Sequence, residues 1–151
     1  MTITIVSVTE AEYPRLVAIW EASVRATHDF LTEADIQVMK PLLLHEYLGA
    51  VELAAVRDGE GTLLGFLGTS GRKIEMLFVA PEHRGQGVGR ALVEHAVGRL
   101  GCVDVDVNEQ NPQAVGFYLR MGFREAGRSP RDGQGNPFPL LHLTLAGADE
   151  A

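Results

Sequence analysis

Hydrophobic positions change period repeatedly along this 151-residue chain, and each change predicts an element. Thr2 to Val6 is rich in β-branched residues and predicts a first strand, reaching toward Val8. Thr9 can cap a helix that starts at Glu10, with Glu12 as the reciprocal partner of a capping box. Leu16, Ile19, Trp20, Ser23 and Val24 then recur at helical spacing, and the pattern fades near Thr27, His28 and Asp29. Thr32 predicts the cap of a second helix, through about Lys40, followed by a Leu-rich turn up to Tyr47. Val51 to Arg57 and Thr62 to Ser70 read as two strands, joined by the hairpin turn Asp58-Gly59-Glu60-Gly61.

Arg72 to Val79 predicts a fourth strand, whose core from Ile74 onward is too short a run for a helix. Pro81 breaks the pattern, and from Val88 the period becomes helical. Val88, Gly89, Leu92, Val93, Ala96, Val97 and Leu100 make the small or apolar face, opposite Arg90, Glu94, His95 and Arg99. Val103 to Val107 predicts a fifth strand with Asp104 and Asp106 on one face. Asn111 and Pro112 open another helix, as cap and first residue, and Gly122 closes it in the left-handed position. Phe123 to Arg128 and Leu140 to Leu145 form a closing pair of strands around the Gly- and Pro-rich loop Ser129 to Pro139. This order predicts one α/β domain over residues 1–151, a mixed sheet covered by helices.

The stretch between the fourth strand and its helix carries the first chemical signal. Glycines that join a strand end to a helix N-terminus leave backbone N–H groups free at the positive end of the helix dipole, which favours an anion. A phosphate loop of the GxxxxGK[ST] kind is excluded, because no lysine follows the glycines. A dinucleotide GxGxxG is excluded by Arg90, which stands where the third glycine belongs, and this weakens any reading as a nucleotide-binding regulator. The spacing present is R-x-x-G-x-G, in Arg84-Gly85-Gln86-Gly87-Val88-Gly89.

That sextet resembles the pyrophosphate-wrapping loop of the GNAT superfamily, the acyl-CoA N-acyltransferases. A second stretch is similar to the family's other motif, N-x-x-A-x-x-F-Y-x-x-x-G-F, and matches at Asn111, Ala114, Phe117, Tyr118, Gly122 and Phe123. The motifs come in the family's order, and the similarity in element order covers essentially the whole chain. The resemblance implies a sheet of about seven strands flanked by about four helices, with the fourth and fifth strands splayed. It implies that acetyl-CoA is the acyl donor, with its pantetheine arm along Leu77, Phe78 and Val79. It places the phosphates at Arg84, Gly85, Gln86, Gly87, Val88, Gly89 and Arg90, and adds Asn111, Phe117 and Tyr118 to the cofactor site. The activity implied is acetyl transfer to a primary amine, of a small molecule, a peptide N-terminus or a lysine. A non-catalytic acyl-CoA sensor is the alternative.

Transfer to an amine needs a base for the ammonium and an acid for the departing thiolate. A lysine with pKa near 10.4 costs roughly 4–5 kcal/mol to deprotonate at pH 7. The resemblance makes Tyr118 the acid, and a phenol does stay protonated at neutral pH. Glu75 is the first choice of base, being a charge inside an otherwise apolar strand. Lys73 and His28 are its rivals; with Phe30 they are the residues expected at the acceptor wall. His83 is expected beside the phosphates, and His95 and His142 read as structural or surface residues.

Composition narrows the setting. The net charge of −7 argues against general nucleic-acid binding and favours cationic acceptors. Cys102 is the sole cysteine, so no internal disulfide can form; a reducing, cytoplasmic setting and a buried structural thiol are expected. No secretory signal or membrane span is expected, nor a metal, since the histidines are scattered. The apolar segment Pro137 to Leu143 is expected either to pack on the protein's own core or, as an exposed edge strand, to support a homodimer.

Overall fold

The computed structural model describes residues 3–133 and 135–146, so Thr2 of the expected first strand lies outside the described residues. Seven strands form one sheet in the order β1-β2-β3-β4-β5-β7-β6. Their spans are β1 Thr4–Ser7, β2 Glu52–Arg57, β3 Leu63–Ser70, β4 Lys73–Val79, β5 Asp104–Asn108, β6 Phe123–Ser129 and β7 Leu140–Leu145. The main helices are α1 Tyr13–Thr27, α2 Glu33–Leu42, α3 Val88–Gly98 and α4 Pro112–Arg120. All neighbours pair antiparallel except β4 and β5, which are parallel.

Two apolar clusters cover the two faces. Val88, Leu92, Val93 and Ala96 of α3 pack with Tyr118 of α4 onto Ile74, Val105, Val107 and Leu143. On the opposite face Leu16, Ile19, Trp20 and Val24 of α1 pack with Ile36 of α2 onto Ala55 and Phe66, and reach no farther than Met76 and Phe78 of β4. The β5-β7-β6 half of that second face thus carries mainly polar side chains, with Leu140 on the cavity wall.

The expected caps form. The Thr9 N–H donates to the Glu12 carboxylate, although the first turn, Glu10–Glu12, is a tighter 3₁₀ turn that runs into α1. Thr32 caps α2 by accepting from the Asp35 N–H at 3.1 Å. Asp58 accepts from the N–H groups of Glu60 and Thr62 to shape the β2–β3 hairpin.

Two expectations are corrected. The Leu-rich segment before Tyr47 is helical: α2 runs past Pro41 to Leu42, then a wide π turn spans Leu43–Tyr47 and a 3₁₀ turn Leu48–Ala50. Proline forbids the ordinary bond one turn back, and the chain keeps winding because Leu43 and Leu48 are drawn into the core. Helix α3 stops at Gly98, so Leu100 leaves the apolar stripe and is exposed, with Gly101 turning the chain at φ 71°. Of the two readings offered for Pro137 to Leu143, packing on the protein's own core is the one met, because β7 is no edge strand. It lies between β5 and β6, and Leu143 is buried in the core, so the apolar character of this segment is used internally.

Candidate active site

The sheet opens where β4 and β5 part. They pair at only two positions, Lys73 with Asp104 and Ile74 with Val105. Beyond these, β4 stays bonded to β3 as far as Val79, while its other edge has no strand partner among the described residues. That edge presents backbone N–H and C=O groups that an extended amide chain can satisfy.

At the far end of this gap lies the glycine turn. Gly85 and Gly87 have φ of 75° and 85°, a region that side-chain-bearing residues adopt only with strain. Gly87 is the residue before α3, so the turn delivers the first N–H groups of that helix to one point. Asn111 caps α4 by accepting from the Ala114 N–H at 3.3 Å, and Pro112 takes the first helical position as expected.

Gap and turn open into one cavity of about 860 Å³. Its wall includes Leu77, Phe78 and Val79 of β4, and Arg84, Gly85, Gly87, Val88, Gly89 and Arg90 around the turn. Asn111, Phe117 and Tyr118 line it from α4; Lys73, Glu75, His28 and Phe30 line it as well. Gln86 alone among the expected site residues is off the wall. Its side chain is exposed and meets His83, itself on the wall as expected, Oε1 to Nδ1 at 3.2 Å. Arg90 is drawn to Glu94 at 2.8 Å, one helical turn away, which tempers its charge.

Tyr118 is only 6% exposed. Its ring stands edge-on to Phe117 and Phe123, with centroids 5.1 and 5.6 Å away. Its hydroxyl has no hydrogen-bond partner among the described residues, and burial pushes its pKa well above the ordinary phenol value. At neutral pH the group is therefore a proton donor on a cavity wall.

Glu75 owes its place to a bulge. Gly68 pairs with Met76 but Thr69 with Ile74, so Glu75 is the extra residue of β4. The bulge explains how Ile74 and Leu77, three residues apart, reach one face while Met76 and Phe78 reach the other. It also explains a charge inside an apolar run: Glu75 is exposed to the cavity rather than buried.

The rivals for the base differ in charge state. The Lys73 Nζ donates to Asp106 Oδ2 at 2.7 Å, and this bond raises the lysine pKa despite its partial burial. Lys73 is thus held as a cation and accepts no proton. His28 ends α1, and its Nδ1 lies 2.8 Å from Thr27 Oγ1. The Thr27 hydroxyl donates its one proton to the Ser23 carbonyl, so Nδ1 must donate and Nε2 keeps a lone pair. Burial, then the charge of Arg84, lower the His28 pKa against the opposing pull of Asp29.

Because the folded pKa of His28 lies below its unfolded value near 6.5, the unfolded chain takes up the proton first as pH falls. Stability contributed by neutral His28 is present above about pH 6.5 and lost as pH falls toward the folded pKa. Urea midpoints should therefore drop between about pH 7.5 and pH 5.5, and His28→Gln should shrink that drop. An equal drop in the variant would show that His28 is not responsible.

Several wall residues escaped sequence reading: Asp106 of β5, Arg120 of α4, and Phe138 of the β6–β7 loop. Phe138 meets Phe30 at 5.5 Å, and Phe30 meets His28 at 5.2 Å, so two loops close on each other over the cavity. Cys102 is fully buried, with its pKa raised by burial and then by Glu52, which leaves an inert thiol as expected.

The family model described as "Acetyltransferase (GNAT) domain" matches residues 47–125. Over 148 residues the chain is 43% identical to the peptidyl-lysine N-acetyltransferase YjaB of Escherichia coli strain K12, covering 98% of this chain and 100% of that protein. The chain belongs to the GNAT acetyltransferase family. The solution structure of apo YjaB from Escherichia coli superposes with a TM-score of 0.88, at 42% identity over 98% of this chain and 100% of the other. The PaiA N-acetyltransferase of Thermoplasma acidophilum, solved with coenzyme A, shares the fold at a TM-score of 0.73 and 20% identity, covering 96% of this chain and 99% of that one. The seven-stranded mixed sheet with its parted β4 and β5 is thus the GNAT fold, and the chain is an N-acetyltransferase that acts on an amine.

Proposed function

We propose that this chain transfers the acetyl group of acetyl-CoA to the ε-amine of lysine side chains in proteins or peptides, by direct attack within a ternary complex in the cytoplasm. The observation that carries this reading is the continuity of the site: the glycine turn, the unpaired edge of β4 and the largely buried Tyr118 share one cavity. Such a cavity fits a ligand with phosphates at one end and an extended amide arm at the other. The choice of lysine rests on the peptidyl-lysine activity named for the Escherichia coli relative, 43% identical over essentially both full lengths. A free buried thiol as the sole cysteine agrees with a reducing compartment.

In this reading the pantetheine amides pair with β4 between Leu77 and Val79, and the pyrophosphate lies against the N–H groups at Gly87 and Gly89. Glu75, directly or through water, takes the proton from the incoming ammonium. The amine nitrogen attacks the thioester carbonyl, the C–S bond breaks as Tyr118 donates its proton to the departing sulfur, and the second proton that the nitrogen loses as the amide forms restores the phenol. Burial raises the pKa of Tyr118, but it also raises that of a thiol in the same apolar place, so donor and acceptor stay matched. Phe30 and Phe138 flank the acceptor's approach. A non-catalytic sensor would have no use for a carboxylate exposed by a bulge in the same cavity as a buried phenol.

The test uses the purified chain, acetyl-CoA and an N-terminally blocked peptide with one lysine. Thiol release should track a single acetyl addition, mapped by mass spectrometry to the lysine. Transfer only to free α-amines of an unblocked control peptide would overturn the choice of lysine. CoA binding with no thiol release on any amine would favour the sensor.

A further inference from the structure

Four polar side chains on four neighbouring strands are linked on the face of the sheet that α1 and α2 leave open. Lys73 of β4 donates to Asp106 Oδ2 of β5 at 2.7 Å. The other oxygen of Asp106, Oδ1, accepts from His142 Nδ1 of β7 at 2.6 Å. His142 Nε2 lies 2.6 Å from the hydroxyl of Ser129, the last residue of β6. With Nδ1 donating to Asp106, Nε2 faces the Ser129 hydroxyl, which can serve as donor or acceptor to it. The His142 and Asp106 positions are direct register partners, which fixes the ring against the carboxylate. The sequence Ser-His-Asp invites comparison with a nucleophilic triad, but Ser129 and His142 lie behind Asp106 and off the cavity wall. Their position suits holding Asp106, not attacking a substrate.

Asp106 and Lys73 do reach the cavity, and they reach it at one place. The last backbone rungs between β4 and β5 are Lys73 with Asp104 and Ile74 with Val105. The side-chain bridge from Lys73 to Asp106 is the next, diagonal rung, at the point where the strands part. Ile74 and Val105, both buried, close the fork on the α3 face. From Val79 back to Ile74 is about 17 Å of strand, taking roughly 3.3 Å per residue. A CoA arm entering from the glycine turn carries its acyl group foremost, and that group travels toward the fork.

We propose that the Lys73–Asp106 bridge, held in place by His142 and Ser129, is the end stop of the acyl slot and restricts the donor to short acyl chains. This rests on the reading that acyl-CoA occupies the gap between β4 and β5. A longer acyl chain must either press methylenes against a hydrogen-bonded ion pair or push it aside. Doing so exposes the Asp106 carboxylate to an apolar group in a partly buried site. His142 and Ser129 act as positioning residues: they deny Asp106 the rotation that would let the bridge swing away.

The experiment measures dissociation constants of CoA, acetyl-CoA, propionyl-CoA, butyryl-CoA and hexanoyl-CoA by calorimetry, which needs no acceptor. For the unmodified chain, butyryl-CoA should bind roughly tenfold or more weaker than acetyl-CoA. In Lys73→Ala and in Asp106→Asn that ratio should collapse toward one, while free CoA binds as before. Ser129→Ala should reduce the ratio partway, which a merely structural contact far from the cavity would not do. Equal affinity for acetyl- and butyryl-CoA in the unmodified chain overturns the end stop, and this arm needs no variant to fold. A full ratio retained in both bridge variants with CoA affinity intact overturns it as well. Failure of every CoA species to bind would instead refute the underlying reading of the cavity.

Discussion

Replacing Gly87 with valine should abolish the stabilisation that CoA gives to this chain. Ligand at about a hundredfold excess over Kd contributes about 2.7 kcal/mol, which for this chain length is a rise in Tm of roughly 5–10 °C. Gly87 sits at φ 85°, so valine there is strained in the fold itself. Space is not the obstacle within the protein, because an added Cβ would meet only Ile3 Cδ1 at 3.8 Å. The side chain would instead narrow the approach to the first N–H groups of α3 and turn them from a common point. Scanning fluorimetry with and without CoA reads both effects at once: a lower starting Tm, and no rise on adding ligand. A folded Gly87→Val protein with an undiminished rise would remove the phosphates from this turn.

Local signals in the sequence picked out residues that line one cavity, and long-range ones did not. Glycine at two left-handed positions, Asn111 at a cap and Pro112 behind it each have one backbone role, and each fills it. The change of period at Val88 marked the strand-to-helix corner for the same reason. By contrast, the bulge that exposes Glu75 has no mark of its own, because alternation alone cannot show an extra residue in one strand of a pair. The oddity of a charge among apolar neighbours pointed to the residue but not to the device. The partners of Asp106 lie 33 and 36 positions away, at Lys73 and His142, and only strand order brings them together. His142 therefore reads as a structural or surface histidine and Lys73 as a rival base, because the carboxylate they share is invisible in the sequence. The helical stretch after Pro41 was hidden because proline ordinarily stops a helix, while burial of Leu43 and Leu48 kept this one turning.

The same contrast separates the two residues expected to carry the chemistry. Glu75 is exposed to the cavity on a bulge, and a lost carboxylate there can be replaced in part by bulk hydroxide. Tyr118 is buried between two aromatic rings, and no solvent species can take its place beside the leaving sulfur. Tyr118→Phe keeps those ring contacts and deletes one oxygen, so acetyl-CoA affinity should change little. Turnover should fall by roughly 10²–10⁴-fold, the usual cost of losing a general acid, with kcat and kcat/KM reduced together. Raising the pH should not help, since a more basic medium supplies no proton. Glu75→Gln should behave in the opposite way. Its defect should be largest well below the pKa of the acceptor amine and recede as pH rises, because the amine then arrives already neutral. Single-turnover acetylation across pH distinguishes the two, since it isolates the chemical step from product release. A Tyr118→Phe enzyme with undiminished single-turnover rate would mean that the thiolate leaves without the phenol, protonated by water admitted through the open half of the sheet.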